Sequence, residues 1–167
     1  MHAINEALNS MQRSSDEILA QVDAMPFECI FWKPGPEVWT VMENLCHIAE
    51  FVPYWTDQVS RIIAAPGEPW GRTHHDPNRL AAVAAASSHT LEDAKSRIRS
   101  GVAQTIATLA RITPEQLATQ APSCNPKWGI KPASFIVDAL LVKHLRDHCA
   151  QIRRNLAQFE EAHSSRT

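Results

Sequence analysis

The chain has 167 residues, 44% of them hydrophobic, with 16 Lys and Arg set against 18 Asp and Glu for a formal charge of −2. That is enough apolar material for a real core in one domain spanning residues 1–167. A near-neutral balance gives no footing for nucleic acid or an anionic membrane, and no apolar run reaches the length of a bilayer span.

The N-terminus lacks the basic and apolar regions of a signal peptide. Cys29, Cys46, Cys124 and Cys149 show no Cys-x-x-Cys spacing and read as reduced thiols, so a cytoplasmic location is expected. From the start of the chain, Ile4, Leu8, Met11, Ile18, Val22 and Met25 recur at threes and fours, predicting an amphipathic helix that ends near Pro26. Pro26 to Trp39 reads as a loop. Thr40 and Glu43 form a capping box that opens a second helix, whose seam runs through Leu45, Ile48, Val52, Trp55, Val59 and Ile62. Pro53 lies inside it and predicts a kink just past His47.

Residues 66–79 are polar and rich in Pro and Gly, a surface loop over the open end of a bundle. Residues 80–87 predict a short helix. Thr90 with Asp93 starts the third long helix, through Leu91, Ile98, Val102, Ile106 and Leu109. Thr113-Pro114-Glu115-Gln116 marks one more helical turn, and 121–131 reads as a loop containing Trp128 and Gly129. A fourth long helix runs from near Pro132 to about Glu161. No alternating strand pattern is present. The fold class is all-α, a four-helix bundle with short extra helices in its connections.

Chemistry concentrates on three histidines. His144 and His148 are one helical turn apart on an apolar stripe, a spacing that allows both imidazoles to reach one ion. His47 lies in the opening third of the second helix, where a crossing neighbour meets it. From the residues alone two readings stand: an open metal site, or core histidines each satisfied by its own hydrogen bond. Burying unpaired imidazoles would cost on the order of 1–3 kcal/mol each. The two readings therefore differ in whether the ring nitrogens converge.

Trp39-Thr40-x-x-Glu43-Asn44-Leu45-x-His47-Ile48, the aromatic pair Tyr54-Trp55, and the later His144-x-x-x-His148-x-x-Gln151-Ile152 together resemble the DinB-like superfamily. The preceding Phe31-Trp32-Lys33-Pro34-Gly35-Pro36 fits that family's loop before its second helix. The resemblance covers almost the whole chain. It implies a four-helix bundle with an uncommon connection order, often a homodimer, holding a divalent metal through His47, His144 and His148; three imidazoles suit zinc, nickel or iron. It also implies kinship with enzymes that use low-molecular-weight thiols such as bacillithiol, mycothiol or glutathione.

Three neutral imidazoles leave a position on such an ion for water or a thiol, giving hydrolysis or small-molecule S-transfer. Gln151 faces the same side as His144 and His148. It either orients a bound water or substrate or satisfies a nearby backbone group. Glu43 or Glu50 could orient the second nitrogen of His47, although Glu43 is already used by the capping box. Cys46 and Cys149 point away from their neighbouring histidines and read as packing residues. His74, His75 and Asp76 read as exposed loop residues, with a lid or substrate contact as the minority view, and His2, His89 and His163 as surface. Trp70 and Trp128 shape a pocket mouth or simply pack. Three functions remain: a metalloenzyme acting on a small molecule, a non-catalytic metal- or small-molecule-binding protein, or a bundle with structural histidines.

Overall fold

The computed structural model describes residues 2–164, with side chains from Ile4 onward, so the surface expectation for His2 falls outside the described side chains. Helix α1 spans His2–Ala24 and buries Leu8, Met11, Ile18 and Val22. The loop expected from Pro26 is broken by a single-turn helix, α2, Phe27–Phe31. Helix α3 spans Val41–Ala64 and continues through Pro53. Its capping box forms as the sequence predicts: the Glu43 amide donates to Thr40 Oγ1 at 3.0 Å, and the Thr40 amide donates to the Glu43 carboxylate at 2.7 Å.

Helix α4, Pro77–Ala84, starts three residues before the sequence predicts, because Asp76 caps it by accepting from the Arg79 amide. A 3₁₀ turn, Ala85–Ser88, leads to α5, Leu91–Leu109, capped by Thr90. The single turn α6, Pro114–Leu117, carries its own capping box between Thr113 and Gln116.

Two departures from the sequence reading follow. Gln120–Pro122 (β1) and Ile130–Pro132 (β2) pair antiparallel, where only a loop was expected. Three-residue strands are too short for a period-2 pattern to be visible. The fourth long helix is also not uniform. Ala133–Phe135 (α7) passes into a π-helical stretch, Ile136–Val142, before the regular helix α8, Lys143–Ser164. The Lys143 amide reaches back five residues to the Asp138 carbonyl. Such wide turns are rare and frequent at functional sites. This one ends two residues before His144.

The long helices close a bundle in which α1 packs on α5 and α8, while α3 packs on α5, α8 and the π-helical stretch. The first two long helices in the chain are therefore diagonal, so the chain must cross the bundle ends in long connections. The core is one apolar cluster drawn from all four, including Leu45, Ile48, Val52, Ile98, Leu141 and Leu145. A hydroxyl pair, Thr56 with Thr105 at 2.7 Å, joins α3 to α5 inside it.

At one end the connections fasten to each other. The Trp70 amide donates to the Pro122 carbonyl at 3.0 Å and the Cys124 amide to the Trp70 carbonyl at 2.8 Å. Gly71, with φ of 82°, sits so close to Trp55 that a Cβ would stand 3.3 Å from the ring, so glycine is required there. No helix among the described residues is long and apolar enough to cross a membrane. Because Thr40 satisfies the first turn of α3, Thr40→Ala is expected to lower stability by about 1 kcal/mol in urea unfolding. An unchanged midpoint would show that the cap contributes nothing.

Candidate metal centre

Helix α3 carries His47 and α8 carries His144 and His148 across the same interhelical seam. One ring nitrogen from each lies within 4.8 Å of those of the other two. Ring centroids are separated by 5.3 Å for His47 and His144, 5.1 Å for His47 and His148, and 4.7 Å for His144 and His148. His47 is 2% exposed and His148 8%, with His144 half-buried at the cavity side. At such separations small ring rotations bring three imidazoles onto one first-row ion.

The surroundings hold the rings in place. His148 Nδ1 is 2.8 Å from Asn44 Oδ1. Asn44 is fully buried and donates through Nδ2 to the Thr40 carbonyl at 2.8 Å, so its amide oxygen is the end turned to His148. That assigns the His148 proton to Nδ1 and leaves Nε2 as its donor to the site. Phe51 stacks on His144 at 4.1 Å, and Trp39 lies parallel to His148 at 6.2 Å. His47 Nδ1 is buried and has no hydrogen-bond partner among the described residues. A structural core histidine would be expected to find one.

Burial is the first cause that keeps all three imidazoles neutral, pushing His47 down to about 2, His148 to about 3 and His144 to about 4. The neighbouring histidines add to this for His47 and His148, while Asp147 opposes it at His144. Neutral imidazoles are the form that binds metal. The donor set thus fits a divalent ion on its chemistry, its orphaned nitrogen and its spacing.

A cavity of about 200 Å³ opens beside the cluster, with His47 and His144 in its wall and Trp55, Trp128, Arg72 and Arg79 around them. The other sequence candidates divide plainly. Glu43 is engaged by the cap and by Lys33, and Glu50 holds Arg72 in a two-pronged ion pair, so neither partners His47. Gln151 is half-buried, one turn beyond His148, and is not part of the cavity wall. Cys46 and Cys149 are buried, and burial pushes both thiols up.

His74 and His75 are exposed with rings 3.9 Å apart, and His74 reaches the cavity wall. Trp70 is buried, donates to the Ala121 carbonyl and stacks on Trp128, whereas Trp128 itself lines the cavity. His89 pairs with Asp93, and exposed His163 bonds the Phe159 carbonyl. Asn44, Phe51 and the two arginines were not singled out as site residues from the sequence. Only Asn44, one turn before His47, offered a usable signal through its spacing.

Fold and cluster together define a four-helix bundle with a three-histidine group of metal-ligand type between its second and fourth long helices. The chain belongs to the DinB superfamily, whose sequence profile matches residues 10–152. It has no significant match among curated protein sequences. Among solved structures it is similar to YfiT from Bacillus subtilis, described as a probable metal-dependent hydrolase with an unusual four-helix bundle topology. The TM-score is 0.78 at 14% identity, covering 93% of this chain and 87% of that one.

It is also similar to a mycothiol-dependent maleylpyruvate isomerase, with TM-score 0.70 and 12% identity over 89% of this chain; the match spans 60% of the isomerase. An uncharacterised protein from Clostridium difficile 630 matches with TM-score 0.65 and 13% identity, over 90% of this chain and 94% of that one. At these identities the likeness concerns the fold.

Free imidazoles titrate near pH 6.5, whereas the folded histidines stay neutral well below that. As pH falls below about 6.5 the unfolded chain takes up protons that the folded chain does not, so folding stability declines with acid. The urea midpoint of metal-free protein is expected to drop between about pH 7 and about pH 5. A flat profile would contradict neutral burial of the three rings.

Proposed function

We propose that this protein is a metal-dependent enzyme in which His47, His144 and His148 hold one divalent ion, zinc, nickel or iron, for small-molecule S-transfer or hydrolysis. The observation that carries the reading is the convergence of three neutral imidazoles, two buried and one half-buried, one with an unpartnered nitrogen, beside a cavity that His47 and His144 line. A divalent ion bound there supplies Lewis acidity, which lowers the pKa of a coordinated water or low-molecular-weight thiol.

The chain's own residues do the rest. Asn44 fixes the His148 tautomer, while Phe51 stacks on His144 and Trp39 lies parallel to His148. Trp55, Trp128 and Leu140 wall the cavity with apolar surface, which excludes water and strengthens electrostatic interactions inside. Exposed His74 also lines the cavity, outside the cluster. The reading gives no step to Gln151. The YfiT description and the thiol dependence named for the isomerase support hydrolysis and thiol chemistry respectively, each at the level of fold kinship.

Metal-reconstituted protein is expected to turn over either an activated ester or a thiol with an electrophile, and His144→Ala to abolish that turnover. Asn44→Ala should weaken metal binding about 10–100-fold while the helical content stays intact. Turnover that is indifferent to metal, or metal affinity unchanged in Asn44→Ala, would overturn the assignment.

A further inference from the structure

The cavity wall carries two arginines of different standing. Arg72 is buried and bound through both terminal nitrogens to Glu50 at 2.6 Å, with a third contact to Asp76 at 3.2 Å and its guanidinium 3.8 Å over the Tyr54 ring. Both carboxylates hold it, and it belongs to the scaffold. Arg79 lies on the same wall, half-buried, and forms no ion pair among the described residues. Its guanidinium stands 5.3 Å over the Trp39 ring and donates to the His74 carbonyl at 3.0 Å.

The Glu50–Arg72–Asp76 chain also places Arg79. The same Asp76 oxygen that meets Arg72 accepts from the Arg79 amide at 3.0 Å, which fixes the first turn of α4 and the point where the Arg79 side chain leaves it. The result is a pre-positioned fork with no direct ion-pair partner, partly desolvated, close to a second cation and in the field of Glu50 and Asp76. Desolvated charge of this kind is unfavourable until an anion meets it. Trp55, Trp128 and Leu140 line the same cavity, together with His47 and His144.

We propose that Arg79 is the substrate-recognition residue of this site and binds the carboxylate of a small organic acid. The apolar part of that acid lies against Trp55 and Trp128, and its reacting end faces the histidines. The orientation of the acid rests on the reading of this cavity as the metal-dependent site, whereas the anion contact stands on Arg79 itself. A guanidinium fork matches a carboxylate in two parallel hydrogen bonds. The aromatic walls favour an organic acid over inorganic phosphate.

Benzoate, with benzyl alcohol as its neutral counterpart, tests this in tryptophan fluorescence titrations of metal-free and zinc-treated protein. Benzoate is expected to bind wild type about tenfold or more tightly than benzyl alcohol. Arg79→Gln should remove that preference without changing benzyl alcohol binding, and Arg79→Lys should restore part of it. Circular dichroism of both variants shows that they fold.

Equal affinity for benzoate and benzyl alcohol, a benzoate preference that survives Arg79→Gln, or inorganic phosphate displacing benzoate at matching concentration would overturn the proposal. Arg79-dependent benzoate binding in a chain that takes up no zinc would uphold it and remove the metal reading. Stoichiometric zinc without a benzoate preference would do the reverse.

Discussion

The arrangement depends on the burial of three uncharged imidazoles against one another between α3 and α8. In water each ring would have hydrogen-bond partners for both nitrogens; between helices, each nitrogen must find one in the protein or bind something else. His148 finds Asn44, which in turn is anchored on the Thr40 carbonyl, so the capping residue of α3 and the tautomer of a histidine on α8 belong to one polar chain. His47 Nδ1 finds no such partner. Burial keeps the rings neutral and therefore available as donors, and the same burial would be unfavourable without an ion to share.

The bundle order makes this meeting possible. With the first two long helices diagonal, α3 is flanked by α5 and by the helix that carries His144 and His148. The price is long connections at the bundle ends, and these become the walls of the site. The loop after α3 and the β1–β2 hairpin tie together through Trp70, bringing Trp128 and the Arg72–Arg79 segment over the histidines. A rigid helical floor under a loop-built wall is a common division of labour between chemistry and selectivity.

Much of this was legible before the structure. The 3.6-residue periodicity marked the four long helices, and Thr40, Thr90 and Thr113 marked starts that the structure bears out, each capping its helix from one residue before it. The spacing of His144 and His148 put them on one helical face, and His47 in the opening part of α3 was the natural third member. The π-helical stretch Ile136–Val142, which packs on α3, left no trace in the residue pattern, whose apolar spacing reads as ordinary helix. The short hairpin was hidden by its length. Arg72 and Arg79 were invisible as site residues because their roles arise from contacts with Glu50, Asp76 and His74 that only the folded loop creates. Gln151 faces the histidines by helical arithmetic, while the cavity beside them is lined from α3, the loops, α4 and the stretch leading into α8 without it.

The most direct test of the central claim is X-ray absorption spectroscopy of the protein as purified, combined with its metal content. The account predicts about one zinc, nickel or iron ion per chain, with a first shell containing three imidazole nitrogens. No stoichiometric metal even after reconstitution, or an ion bound without imidazole ligands, would contradict it and leave a helical bundle whose histidines merely pack.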